Sequence, residues 1–403
     1  LPLINLADVL KSADVFVDGD WVESKDQDVN GDVRLVQLAD IGDGYYINKS
    51  SRFLTSDKAR ELRCTFLKKG DILLARMPEP LGRACIFPSD PKKSVTVVDV
   101  CIIRLKPDTH DPRWLMHCLN SPVCRNQIAD FATGTTRTRI SRGNLAKIKI
   151  PLSPIAEQKR IADILDRTQS LISKRKEAIA LLETLTQSIF LEMFGDPETN
   201  PHGWDIQAIS NYVAQFQGGK SIESESGENI ITKNRILKVS AVTKMVFLPE
   251  ESKPLSDDYE PAPEHFVRNG DLIFSRANTT ELVGAVAYVK ETPSNILLPD
   301  KLWRFVWKQP AKVLPLFVWS LFQTSVMRRE IGKRATGTSG SMKNISQEKL
   351  LGIKTIVPPL ALQKEFAQRV EAVEKLKATH RASLSQLEEL FASLQHRAFR
   401  GEL

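Results

Sequence analysis

Two stretches of the chain carry apolar residues at helical spacing over unusual lengths. Over 155–194, Ile161, Ile164, Leu171, Ala178, Leu182, Leu185 and Ile189 fall at the a and d positions of a heptad, and Leu165, Ile172 and Ile179 broaden the stripe. Nothing breaks it before Gly195 and Pro197. Over 360–399 the pattern recurs through Phe366, Val373, Leu376, Leu387, Leu390 and Leu394. Each stretch predicts one helix of about 55–60 Å, and two such helices pair most simply antiparallel. The middle a position is polar in both, Arg175 in one and His380 in the other. Either these residues meet as a layer that fixes register or faces a partner helix, or they snorkel past an apolar seam. Leu181, Phe190, Met193 and Phe194 add apolar surface beyond the seam, for partner helices or for the chain's own globular parts.

Elsewhere the apolar runs are short. Segments 33–41, 71–74 and 95–105 read as strands, as do 236–242, 271–275 and 284–289; 114–131 and 317–331 read as helices. This mixture predicts an α+β fold with antiparallel or mixed pairing rather than a βαβ series. The order of elements is stated twice. Gly70-Asp71-Ile72-Leu73 recurs as Gly270-Asp271-Leu272-Ile273, and Ala132-Thr133-Gly134-Thr135 as Ala335-Thr336-Gly337-Thr338. Ile140-Ser141 recurs as Ile345-Ser346, and Pro154-Ile155-Ala156-Glu157-Gln158-Lys159 as Pro359-Leu360-Ala361-Leu362-Gln363-Lys364. The spacing is about two hundred residues, too long for a solenoid, so it marks a duplicated domain. Two similar but non-identical units suit a reader of two different half-sites. The expected division is two similar globular domains, 1–150 and 200–355, with helical regions 151–199 and 356–403 that form an antiparallel coiled-coil-like pair.

Charge sharpens this picture. The net charge is +7. Segment 1–150 carries 23 Lys and Arg against 19 Asp and Glu, and 200–355 carries 20 against 16, whereas 151–199 carries 6 against 8. The excess sits in the globular units, as expected of polyanion-binding modules joined by neutral helices. No run of eighteen apolar residues suggests a membrane span, and the start of the chain lacks a basic signal region. The cysteines, Cys64, Cys85, Cys101, Cys118 and Cys124, are odd in number and form no C-x-x-C pair, which favours reduced core thiols over disulfides or a zinc site.

The candidate chemistry is that of binding. Thr133, Thr135, Arg137 and Arg139 form a loop of hydroxyls, glycine and arginine; Thr336, Thr338, Lys343 and Asn344 form its counterpart. Hydroxyls and cations suit phosphate oxygens, and Arg and Asn can read base edges. The plain alternative is a glycine turn. Arg76 and Arg276, each ending a G-D-apolar strand, are either further DNA contacts or structural caps. Gly218-Gly219-Lys220-Ser221 lacks the glycine that a P-loop needs four residues earlier, since position 214 is Ala. No dinucleotide fingerprint, H-E-x-x-H, nucleophile elbow or N-P-P-[FY] tetrad occurs, so no catalytic residue, metal or cofactor is expected.

These motifs resemble the specificity subunit of type I restriction–modification systems. The resemblance covers nearly the whole chain, and Leu362 in place of Glu157 is a mild departure in the second copy. It implies two target recognition domains, each reading one half of an asymmetric bipartite site on double-stranded DNA. It implies two methyltransferase subunits docked on the helices, which bring S-adenosylmethionine and adenine N6 methylation, with motor-nuclease subunits joining indirectly. It places the chain in a prokaryotic cytoplasm. The helices would then set a gap of about one DNA turn between half-sites. Methyltransferase contacts are expected at Ile161, Leu171, Arg175, Leu182, Phe366, Val373, His380 and Leu387. The competing readings are a self-contained methyltransferase or nuclease with a diverged site, and a coiled-coil scaffold without DNA binding.

Overall fold

The heptad stripes fold into one helix over Ile155–Phe194, the central helix, and another over Leu360–Ala398, the distal helix, of 40 and 39 residues. The computed structural model of the chain describes residues 1–134, 137–222, 232–339 and 342–403. Thr135 lies outside the described residues, and so does the side chain of Thr338.

The chain divides into two compact units, Leu1–Glu177 with Arg381–Leu403, and Ala178–His380. The division cuts both long helices, so each unit owns half of each. Within each unit, residues of both helix halves are packed into the core beside them.

In the first unit, a four-stranded antiparallel sheet runs in the order Ala13–Asp18, Val100–Leu105, Ile72–Ala75, Ala84–Ile86. The G-D strand is buried on both faces. Ile72 and Leu74 point into one core and Leu73 and Ala75 into another, as the two-residue period of a strand requires. A smaller sheet orders Phe53–Leu54, Val33–Val36 and Lys93–Thr96. Leu3–Asn5 pairs antiparallel with Lys149–Pro151, which leads into the central helix. The single helix expected over 114–131 is two, Pro112–Leu119 and Pro122–Asp130. Each starts with proline, whose missing N–H costs nothing in a first turn, and Asp111 and Ser121 cap them.

The core under these helices takes Trp114, Leu115 and Ile128 together with Ile161, Ala162 and Leu165 of the central helix and Ala398 of the distal one. Further along, Lys176 pairs with Glu388 at 2.8 Å. The two helix halves of this unit therefore run antiparallel.

The second unit repeats the plan: Val213–Gly218, Leu302–Trp307, Leu272–Ser275, Val286–Tyr288 in one sheet and Ser252–Pro254, Arg235–Leu237, Ile296–Leu297 in the next. Asp205–Ala208 pairs with Lys354–Val357. The strand expected over 236–242 ends at Leu237, and Ser240–Thr243 is a short helix. Its core is aromatic where the helix halves meet. Phe190 and Phe194 lie 5.8 and 5.4 Å from Phe366, and 5.7 and 5.0 Å from Phe317.

The repeated motifs prove to be paired anchors. Arg104 donates two 2.7 Å hydrogen bonds to the carboxylate of Asp71 and one of 2.9 Å to the Phe66 carbonyl. Arg304 does the same with Asp271 at 3.0 Å and Phe266 at 2.9 Å. Gly70 and Gly270, at φ +93° and +91°, make the turn that presents each aspartate. The repeated glutamine is a latch: Gln158 Oε1 accepts from the Asp111 amide at 3.0 Å and its Nε2 donates to the Ser153 carbonyl at 2.8 Å. Gln363 likewise accepts from Leu314 at 2.8 Å and donates to Pro358 at 2.8 Å.

The fold is α+β. All five cysteines are buried and free, and burial pushes the thiols of Cys64 and Cys85 up to about 12. Among the described residues, no helix is long and apolar enough to cross a membrane.

Candidate nucleic-acid interface

The first hydroxyl loop is a tight hairpin. The Thr133 amide donates to the Arg139 carbonyl at 2.9 Å and the Arg139 amide to the Thr133 carbonyl at 2.8 Å. Gly134 sits at φ +103°, and a Cβ there would stand 2.6 Å from the Arg137 carbonyl oxygen, so only glycine fits. Arg137 is exposed. Arg139, also exposed, pairs with Asp99 at 2.8 Å. The hairpin is tied to the sheet beneath by the Ile140 amide, which donates to the Arg76 carbonyl.

The second loop repeats this anchor, with the Ile345 amide donating to the Arg276 carbonyl. It widens into a three-stranded sheet ordered Ala277–Asn278, Met342–Asn344, Thr336–Ser339. A Cβ on Gly337 would lie 2.3 Å from the Met342 carbonyl oxygen. Lys343 Nζ donates to the Gly337 carbonyl at 2.9 Å, and Asn344 is half-buried. Thr133 and Thr336 are exposed. Among the described residues, one hairpin carries Thr133 with Arg137 and Arg139, and the other carries Thr336 with Lys343 and Asn344.

Arg76 does not belong to that surface. It is 7% exposed; its Nε donates to the Ile140 carbonyl at 2.9 Å, and its NH1 lies 2.7 Å from Asp18. It is a buried fastener of the hairpin, and its positive charge is already matched. Arg276 differs because Gly218 occupies the register position of Asp18. Without that carboxylate, Arg276 lies over the Trp303 ring at 5.5 Å, bonds the Asp300 carbonyl at 2.9 Å and stays half-buried.

The expected docking residues also divide. Ile161, Phe366 and Val373 are 1%, 0% and 5% exposed within the chain's own cores, so their apolar area is not free for a partner. Leu171 is exposed, and Arg175, Leu182, His380 and Leu387 are half-buried. Leu181, Leu185, Leu376 and Leu390, all exposed, extend the available apolar surface.

The sequence motifs missed the lysines beside the second hairpin. Lys220, Lys238, Lys253 and Lys301 line one cleft. They are scattered along the chain and meet only through strand pairing; the G-G-K-S turn was their one local sign. Among the described residues, no group of three or more His, Cys, Asp or Glu is placed to hold a metal ion.

Two copies of one α+β scaffold, each carrying a glycine-threonine hairpin with cations and each holding half of two long helices, define a two-module binding protein. Residues 5–183 match the family model of the Type I restriction modification DNA specificity domain. It is 25% identical over 311 residues to the EcoKI specificity subunit of Escherichia coli (strain K12), covering 72% of this chain and 65% of that one. It is 22% identical over 397 residues to the MjaVIII specificity subunit of Methanocaldococcus jannaschii, covering 93% and 90%. The crystal structure of the type I S subunit from M. genitalium shares the fold, with a TM-score of 0.58 at 15% identity over 99% of this chain and 96% of that one. The family match stops in the central helix, but the strand orders and anchors carry the same architecture through the second unit.

Proposed function

We propose that the chain is the non-catalytic, sequence-specific DNA-binding subunit of a type I restriction–modification complex. Each unit reads one half of an asymmetric bipartite site on double-stranded DNA. The observation that carries this reading is one hairpin, held by the same anchors in both units, that presents Arg137 and Arg139 in one and Lys343 and Asn344 in the other. Thr133, Thr135, Thr336 and Thr338 serve phosphate oxygens, and Arg276 approaches DNA from its seat on Trp303. The same frame with different donors is what two dissimilar half-sites require.

Two methyltransferase subunits dock on the exposed and half-buried helix positions, Leu171, Arg175, Leu182, His380 and Leu387 with their exposed leucine neighbours. Arg175 and His380 supply the polar points of those interfaces. The cofactor belongs to those subunits, and motor-nuclease subunits join through them. Adenine methylation mapped across a genome in cells expressing this chain with its methyltransferase should show one bipartite motif. Purified chain alone should transfer no methyl group from labelled S-adenosylmethionine to DNA. Transfer by the chain alone would establish a self-contained enzyme, and salt-independent or absent duplex binding would establish a scaffold.

A further inference from the structure

One cleft of the second unit is lined by lysines that the equivalent positions of the first unit do not repeat. It has a volume of about 270 Å³ and is lined by Lys220, Lys238, Lys253 and Lys301 with one acid, Asp300. Lys220, Lys253 and Lys301 are exposed, and among the described residues no carboxylate is ion-paired with them. The cleft adjoins the hairpin anchor: the Arg276 amide donates to the Lys301 carbonyl at 3.1 Å, and its side chain to the Asp300 carbonyl at 2.9 Å.

The strand register gives the equivalent positions in the first unit. Lys220 bridges Pro299 as Asp20 bridges Val97, so Asp20 takes the place of Lys220. The Arg76 amide donates to Asp99 as that of Arg276 does to Lys301, so Asp99 replaces Lys301. By the same pairing, Gln37 stands for Lys238 and Arg52 for Lys253. Asp99 is further engaged by Arg139 of its own hairpin. Four cations around a concave site in one copy correspond to one cation and two acids in the other.

We infer that this cleft grips the phosphodiester backbone of DNA beside the half-site read by the second unit, an anion contact the first unit does not make there. The inference rests on the DNA-binding reading proposed above. Lysine ammonium groups bind phosphate oxygens as point charges, without reading sequence. Several of them on one concave wall suit a curved backbone. The two half-sites are therefore held unequally, the second with more salt-dependent contact.

The test uses the full chain with its methyltransferase subunits and a duplex bearing the mapped site. Each phosphate contact contributes about 0.9 to the slope of log affinity against log salt. Lys220→Gln with Lys253→Gln should flatten that slope by about 1–2, weaken binding roughly tenfold or more near 0.1 M salt, and leave the preference for the correct half-site unchanged. The Lys220→Arg, Lys253→Arg pair should retain the slope, and Lys290→Gln, an exposed lysine outside the cleft, should leave it unaltered. Duplex, but not inorganic phosphate at equal phosphate concentration, should protect Lys220 and Lys253 from acetylation. An unchanged slope in the Gln pair, while the parent chain binds with normal salt dependence, overturns the assignment. Protection by inorganic phosphate alone reassigns the cleft to a small phosphate ligand and also overturns it. Absence of salt-dependent binding by the parent chain would instead sink the DNA-binding reading itself.

Discussion

The buried glutamine latch makes a sharp prediction, because it occurs once per unit and can be cut in one at a time. Gln158 is 1% exposed and Gln363 is fully buried. Replacing Gln158 with Ala removes the acceptor for the Asp111 amide and the donor for the Ser153 carbonyl, both closed off from water. A typical intramolecular hydrogen bond contributes about 1 kcal/mol, but a buried group left without a partner costs about 1–3 kcal/mol. Two such groups, partly relieved by water entering the space of the lost side chain, put the cost of Gln158→Ala at roughly 2–4 kcal/mol. That loss should fall on the first unit. Gln158→Glu tests the chemistry of the latch. It keeps an acceptor for Asp111 but offers the Ser153 carbonyl no donor and buries a charge, so it should be no better than Ala. The assay is urea unfolding of the full chain, with amide hydrogen exchange on peptides around Asp111 and around Leu314. Loss of protection near Asp111 with Leu314 unaffected in Gln158→Ala, and the reverse in Gln363→Ala, is expected. A change below about 0.5 kcal/mol, the range of ordinary surface substitutions, would refute the claim that the latch holds the helix start to the fold.

Three further outcomes follow from the same geometry. Phe366→Ala should destabilise the second unit by about 3–5 kcal/mol in urea unfolding, since it removes a fully buried ring packed on Phe190 and Phe194. Arg76→Ala and Arg137→Ala should fail in different assays. The first removes the buried hydrogen bonds of Arg76 to the Ile140 and Val98 carbonyls while Asp18 keeps Arg142 at 3.1 Å, and costs roughly 1–3 kcal/mol in unfolding, whereas the second leaves stability unchanged and weakens duplex binding at one half-site only, read by binding to duplexes scrambled in either half. Burial holds the pKa of His110 below its ordinary value. The unfolded chain therefore binds a proton that the folded chain refuses, and stability of the first unit falls as pH drops from about 6.5 through the folded value, with no change above. His110→Asn should show a smaller difference between urea midpoints at pH 7.5 and 5.5.

The parts of the fold legible in the sequence were those with a long period or an internal copy. Forty residues without Gly or Pro and an apolar stripe admit little besides a helix, and the second copy repeated it. Short apolar runs carried less. Over 236–242 a mostly apolar run, interrupted by Lys238 and Ser240, crosses a strand, a turn and a helix, and the change is imposed by the Lys238 amide bonding the Glu251 carbonyl and the Leu248 amide bonding the Ala241 carbonyl. The hairpins were visible as hydroxyl and glycine clusters. The fate of Arg76 was not, because an arginine ending a strand looks the same whether it faces water or a carboxylate supplied by a distant strand. Ile161, Phe366 and Val373 obeyed the heptad, yet the heptad does not say whether its stripe meets another helix, a partner or the chain's own sheet-packed helices. The lysine cleft was invisible for the reason the latch was visible: its residues are not repeated.

That contrast explains how one scaffold can serve two targets. The positions held in common, Asp71 and Asp271, Gln158 and Gln363, are hydrogen-bonded and buried or half-buried, and each change there costs the unit a large fraction of its stability; the arginines that hold the two aspartates, Arg104 and Arg304, sit two residues apart in strand register. The positions that differ, Asp20 against Lys220, Arg52 against Lys253 and Asp99 against Lys301, lie at or near the surface, where exposed substitutions such as those at the three lysines shift stability by about 0.5 kcal/mol or less. Asp18 against Gly218 shows the intermediate case: loss of one carboxylate releases Arg276 from a buried pair, and Trp303 takes over as its support. Divergence is thus cheap where a ligand would touch and expensive where the frame is held. A duplicated unit under those constraints keeps its fold and loses its identity of surface, which is the condition for an asymmetric site to be read by one chain.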